Sequence, residues 1–454
     1  MKTTRALVAL GSAGLALAGV GLSTAHANGR FPDAQQLVVA KDDETHIAVE
    51  TTYGLIQTRD AGGKWTWACE DAVGYGGMLD PPIALVDSGA LVVGVFGGLS
   101  ISSPDGCSYA FVGGDLTDRY FVDVSAMKGD PSHAIAMSSD GLGSSMFDTQ
   151  VWKSTDSAVT WSKLGVALPS DFLGLTLDAA PTDEDLLYLS GFQITGNDYV
   201  GMLAVSTDAG ANWQLKPIMG SANDSGPYIA AIDPVDPQTV YVRLASLAGK
   251  LVVTHDGGDT WSTVFEAQGS LLGFALSPDG SKIVVGGPDD GLHKASTSDY
   301  AFTKLSELHV RCLTWTPSAL YACGREAFDD FTVGKSLDEG ATFEPIHHVS
   351  CLVGPDPSCE AASTVSEVCP GPWAAQKELL QTDTCNATGG AGGTGAGGTG
   401  GTGNGGASDD DGCSCSTPRS GDGTSAAWLL LVAGAALAVS RAARRNPERA
   451  NDRA

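Results

Sequence analysis

The chain has 454 residues, with 53 acidic against 26 basic side chains, a net charge of −27 and a pI of about 4.4. Clustered Lys and Arg are what displace counterions from phosphate backbones and anionic headgroups, so this balance excludes nucleic acid as a partner and electrostatic docking to anionic lipid. What acidity favours is solubility and cationic partners.

The N-terminus carries Lys2 and Arg5, an apolar run over 6–22, and Ala25, His26, Ala27. A charged region, a hydrophobic core and an A-x-A site in that order predict a signal peptide over 1–27, with the exported chain beginning at Asn28.

From there one pattern recurs: Ser or Thr, Asp two residues on, then Gly, then an aromatic residue. Thr58, Asp60, Gly62, Trp65 is the first instance; Ser206, Asp208, Gly210, Trp213, then Thr254, Asp256, Gly258, Trp261, and Ser336, Asp338, Gly340, Phe343 fill every slot. Three copies are worn: Ser103, Asp105, Tyr109 is one residue short, Ser154, Asp156, Trp161 has Ala158 for glycine, and the unit ending at Phe302 keeps Thr297 and Asp299 near the expected places. The aromatic positions recur every 41 to 52 residues, which means one supersecondary unit per repeat.

A typical unit has apolar runs over 228–232, 239–244, 251–254 and 260–265, with turn residues between them. That pattern predicts four short strands, the motif sitting at the turn between the third and fourth. There Asp accepts from backbone N–H groups, Gly takes positive φ, and the aromatic ring packs beneath the turn. One such sheet cannot bury both faces, but seven arranged radially cover one another, so an all-β, seven-bladed β-propeller is expected over 28–350.

Beyond the last repeat the composition changes. Residues 351–387 form a Cys-rich segment in which 359–369 and 373–381 read as helical pieces broken by Pro370 and Pro372. Residues 388–412 form a Gly/Thr/Asp linker, with 12 glycines in the 18 residues from Gly389 to Gly406, a flexible tether with a typical reach of about 20 to 25 Å. Residues 413–454 carry Cys413 and Cys415, an apolar run of 14 residues over 426–439, and Arg441, Arg444 and Arg445. Those arginines would stay cytoplasmic, giving a membrane partner through the tail, although the run is shorter than the roughly 20 residues a spanning helix needs.

The other eight cysteines, Cys69, Cys107, Cys312, Cys323, Cys351, Cys359, Cys369 and Cys385, are expected in disulfides, since an exported chain meets an oxidising compartment. Pairing Cys312 with Cys323, and Cys69 with Cys107, would make neighbouring-strand staples. Zinc would need a C-x₂-C pair, and the Cys-rich segment has none.

The repeat resembles the Asp-box, or bacterial neuraminidase repeat, family over residues 37–346, and the tail resembles a myxobacterial-type C-terminal sorting and anchor segment. The first resemblance implies a propeller and leaves the reaction open, because its members include sialidases, sorting receptors and photosystem assembly factors. The second implies processing or anchoring at Cys413 or Cys415, hence an exported protein held at the cell envelope.

In the sialidase relatives the channel mouth carries three arginines for a carboxylate, a tyrosine nucleophile with a glutamate, and an aspartate. This chain offers Arg30, Arg59, Arg119, Arg243, Arg311 and Arg325, and no F/Y-R-I-P stretch; Arg30, Phe31, Pro32 has another order. Tyr228 and Glu266 or Glu326 stand nearest the remaining roles, with no spacing that demands them. The aspartates Asp60, Asp105, Asp156, Asp208, Asp256 and Asp338, repeated at every turn, are expected to be structural acceptors rather than catalytic acids or calcium ligands. No catalytic residues, metal ligands or cofactor are assigned. A recognition or scaffold propeller for a protein, peptide or glycan is expected, with a divergent sialidase-like glycoside hydrolase and a membrane-complex assembly factor as alternatives.

Overall fold

The computed structural model describes residues 30–385 apart from 77, 78 and 222. The expected signal peptide, the linker and the tail with Cys413 and Cys415 lie outside them.

Seven four-stranded antiparallel sheets occupy 34–68, 83–111, 121–163, 172–217, 226–266, 273–306 and 312–347, each with its strands in chain order. The first strands of successive blades are neighbours, and that of blade 7 (Cys312–Trp315) returns to that of blade 1 (Ala34–Val39), so the ring closes. The expected seven-bladed propeller is the observed fold.

Sequence and packing agree in the second strands. Ile47–Thr51, Leu91–Val95 and Lys282–Gly287 are nearly or wholly buried. A strand covered on both faces by adjacent blades reads as a continuous apolar run rather than an alternating one. The resulting clusters sit between blades; one joins Ala136 and Trp152 of blade 3 to Ala84 and Val92 of blade 2. Each fully buried Val or Leu contributes about 1.5–3 kcal/mol.

No blade mixes strands from the two chain ends. Blade 7 meets blade 1 through packing and side-chain bonds, such as Thr314 Oγ1 donating to Leu37 O at 2.7 Å. Residues 351–385 then continue as a strap across the outside of blades 1 and 2. Val353 N–H donates to Trp65 O and Trp67 N–H to Gly354 O. Gly354 takes φ +102°, and a Cβ there would stand 2.5 Å from the Trp373 ring, so only glycine lets that indole pack beside Trp67.

Four disulfides join the eight cysteines: Cys69–Cys369, Cys107–Cys359, Cys312–Cys323 and Cys351–Cys385. The Cys312–Cys323 pair is the expected staple between paired strands. A Cys69–Cys107 bridge is not formed. Cys107 lies in the motif turn of blade 2, whereas Cys69 follows a fourth strand that has run away from its own motif turn, so the two sit at opposite faces of the ring. Pro370 and Pro372 correct a second expectation, since they open the helix Pro370–Leu379, where a missing N–H costs nothing.

Candidate functional site

Because strands alternate in direction, the loops between first and second strands share a face with the motif turns. The second-to-third turns form the opposite face.

The motif turns are built alike. Ser206 Oγ donates to Asp208 Oδ1 (2.9 Å) and accepts from Gly210 N–H (2.8 Å), while Asp208 accepts from Asn212 N–H and Nδ2. Thr254 with Asp256 and Ser336 with Asp338 repeat this, their aspartates receiving N–H and Oγ1 of Thr260 and Thr342. Asp60 and Asp156 make the same bonds to Thr58 and Ser154 and to the N–H four residues on. In the shortened copy Asp105 accepts from Ser103 and Cys107 N–H. In blade 6 the hydroxyl slot belongs to Ser296, and Ser298 stands where aspartate was expected, so Thr297 and Asp299 are displaced from those roles.

These bonds hold the carboxylates below the usual range, with Asp338 near 2 through Thr342 and Ser336. In four turns the αL residue also donates to the neighbouring loop of its own blade: Ala61 N–H to Thr45 O, Ser157 N–H to Ser132 O, Ala209 N–H to Asp185 O and Gly257 N–H to Gln238 O. Spread around the rim, one per turn, these aspartates do not meet in a common pocket.

The channel holds a cavity of about 750 Å³, bounded at its motif-turn end by Pro131, Pro181, Pro234, Pro278 and Pro317, with Met127, Phe274 and Trp315 on its wall. Three of its four charged side chains are tied down by hydrogen bonds, and the fourth, Lys128, lies 3.7 Å from Asp178. Lys41 Nζ donates to Lys128 O and Gly129 O, Glu44 accepts from Thr316 and Ser318, and Arg243 donates to Leu271 O and Leu272 O. Further bonds link inner strands: Gln36 exchanges two with Ile83, Thr176 Oγ1 accepts from Ile229 N–H, and Asp123 accepts from Leu177 N–H at 2.7 Å. Burial pushes Asp123 up to about 7 against its two backbone donors.

The arginines separate into distinct places. Arg59 lies beside His46 on the motif face, Arg243 is inside the channel wall, and Arg119 pairs with Asp140 (2.9 Å) and Asp148 (3.1 Å). Arg30, Arg311 and Arg325 share one neighbourhood, all within electrostatic reach of Asp33. Arg30 pairs with Asp80, and Arg311 with Gln35 and Asp33. Tyr228 is half-buried and within electrostatic reach of Arg243, Glu266 pairs with Lys250, and Glu326 accepts from Thr332 and His348. No group of three or more His, Cys, Asp or Glu among the described residues is arranged to hold a metal ion.

One feature escaped the sequence reading. The second and third strands of blades 3 and 4 are long, Ala134–Gly143 with Met146–Ser154 and Asp183–Thr195 with Asp198–Ser206, while the second strands elsewhere have four to six residues. The signal was present: the aromatics at 109, 161 and 213 are 52 residues apart, against 41 to 48 for the other intervals.

No family model matches the chain, and no curated protein sequence matches it. Among solved structures it is similar to the Kuenenia stuttgartiensis hydrazine synthase, at 10% identity over 67% of this chain and 96% of that one, TM-score 0.48. It is also similar to YCF48 bound to D1 peptide (14%, 69% and 80%, 0.38) and to the GH74 xyloglucanase from Xanthomonas campestris (14%, 68% and 55%, 0.28). The strand topology itself defines the class: a seven-bladed β-propeller of four-stranded blades. Within that class, this chain is a propeller whose first two blades are disulfide-bonded to a C-terminal strap.

Proposed function

We propose that the chain is an exported recognition or scaffold module, held at the cell envelope by its C-terminal segment, whose channel takes a protein, peptide or glycan ligand. The observation that carries the reading is the channel cavity, open at a rim of five prolines, walled by Trp315, Phe274 and Met127, with three of its four charged side chains hydrogen-bonded to the protein and the fourth, Lys128, beside Asp178. Such a site offers apolar and stacking contacts and few groups free for proton transfer. Export is supported by the signal-like N-terminus and by four disulfides, which persist in oxidising compartments; anchoring rests on the sequence of the tail.

The test is a glycan array and a peptide array probed with the full chain, each hit repeated with Trp315→Ala. Loss of binding in that variant, at unchanged thermal midpoint, supports the reading; hits indifferent to Trp315 overturn it. Protease accessibility of the propeller on intact cells tests the location.

A sialidase-like reading has one observation in its favour, the gathering of Arg30, Arg311 and Arg325 about Asp33. Its weakness is that Asp80 and Asp33 already occupy two of the guanidinium forks that a substrate carboxylate would need. Turnover of a fluorogenic sialoside, lost in Arg311→Lys, would establish it over the binding reading.

A further inference from the structure

We infer that the paired long hairpins of blades 3 and 4 form a second docking surface, on the face away from the motif turns, for a cationic segment of a partner protein that also carries apolar side chains. The hairpins continue four or five residues past the point where the corresponding pair in blade 5 ends. At about 3.3 Å per residue they stand roughly 15 Å proud of the ring.

They are braced into one body. Ser139 Oγ bonds Thr149 Oγ1 and accepts from Gly174 N–H, Thr149 Oγ1 donates to Phe172 O, and Phe147 N–H donates to Ser170 O. Leu173, Phe192 and Ile194, with Phe147, Leu175 and Tyr199 against them, give the projection a small core of its own. A scaffold that only closed a ring would not need this separately packed extension.

Its surface has two properties together. Leu142 and Met146 at one tip are 60% and 45% exposed, Val200 at the other is 44% exposed, and Phe96, 49% exposed, stacks on Tyr120 at 4.1 Å beside the base. Around them stand Asp115, Asp118 and Asp198, which are exposed, and Asp140, Asp148 and Asp171, which are half-buried. Of the cations in reach, Arg119 and Lys163 lie over the Trp152 ring at 5.2 and 5.5 Å, and Arg119 is neutralised by Asp140 and Asp148. Apolar knobs beside Asp115, Asp118, Asp171 and Asp198, none of which is ion-paired with a Lys or Arg of the described residues, select a partner with the complementary charge and with apolar side chains to cover the knobs. The surface is distinct from the channel, and its failure would leave the channel reading untouched.

The test uses the full chain and a fluorescein-labelled amphipathic peptide of lysine and leucine, read by anisotropy at low and moderate salt. Oligolysine and a glutamate–leucine peptide are the controls. Two surface variants are compared, Leu142→Ser with Met146→Ser, and Asp118→Asn with Asp198→Asn, each first shown to melt with the parent. The expected result is binding of the lysine–leucine peptide alone, at least tenfold weaker in each variant, with salt weakening the parent more than the aspartate variant. Equal binding of oligolysine, indifference to the Leu142/Met146 change, or no binding would overturn the inference. So would self-association of the parent abolished by the same variants, which would make the surface an interface between copies of this chain.

Discussion

Replacing Cys69 and Cys107 together by serine should weaken the fold far more than cutting either of the other two bridges, because those two residues hold the strap. With no strand shared between the first and last blades, the ring opens wherever blade 7 parts from blade 1, and the strap is the covalent link from the end of blade 7 to blades 1 and 2. Cys107–Cys359 closes a separation of 252 residues, for which the chain-entropy relation gives about 5 kcal/mol. With that bridge in place, Cys69–Cys369 closes only the 38 residues from 69 to 107 and the 10 from 359 to 369, which by the same relation adds about 4 kcal/mol. Losing both therefore removes about 9 kcal/mol, comparable to the whole stability of an ordinary domain. Losing Cys69–Cys369 alone should lower the melting temperature by about 6 °C for a chain of this size. The reference is Cys312→Ser with Cys323→Ser, whose separation of 11 residues corresponds to about 3 kcal/mol. Calorimetry on the variants, with free thiols counted by mass spectrometry, measures the differences. If the Cys69/Cys107 double variant melts no lower than the Cys312/Cys323 variant, the strap does not clasp the ring.

Other expectations follow from the turns and the channel wall. Ser206→Ala removes the acceptor of the buried Gly210 N–H and should cost about 1–3 kcal/mol by chemical denaturation. Gly210→Ala forces a Cβ at φ +78° to 3.2 Å from Leu164 O and should cost at least about 1–2 kcal/mol, whereas Ala158, which already sits at φ +68° in the equivalent slot, should accept glycine with little loss. Stability should fall on both sides of an optimum in mildly acidic solution. Asp279 and Asp338 are held near 2, so their contribution is present above the unfolded value near 4 and lost as pH falls through 2. Asp123 is raised to about 7, so its contribution is greatest below about 4 and is lost as pH rises through 7, by at most about 4 kcal/mol. Asp123→Asn should flatten the alkaline side; an unchanged slope between pH 4 and 7 would refute the assignment.

The blades were legible because everything that makes a motif turn lies within eight residues of chain. Hydroxyl, carboxylate, glycine and ring are local partners, so their spacing is a geometric requirement that sequence displays directly. Cys312–Cys323 was legible for the same reason, spanning adjacent strands of one hairpin. The strap was not, since its bridges join residues 252 and 300 apart, and no local pattern says which crevice a segment after the last blade will enter. The Cys69–Cys107 expectation failed on direction rather than distance: counting strands would have placed the two sulfurs at opposite faces. The arginines illustrate a third limit, because Arg30 and Arg311 meet around Asp33 only once the ring has closed.

The same contrast bears on where recognition sits. The regular motif turns of blades 1, 3, 4, 5 and 7 repeat with small variations, and each carboxylate accepts from hydroxyl and N–H donors of its own turn, so little in those turns distinguishes one blade from the next. The distinguishing features are departures from the repeat: the long hairpins of blades 3 and 4, the strap on blades 1 and 2, and a channel in which neighbouring inner strands trade different bonds at different joints. A repeated fold spends its common residues on shape, and a ligand can select this chain only through positions where the repeat is broken. Exchanging the blade 3 tip, residues 139–150, for a short turn should therefore abolish hairpin-dependent binding while leaving the melting temperature within a few degrees of the parent. A collapse of the fold on that exchange would show instead that the projection holds the ring together.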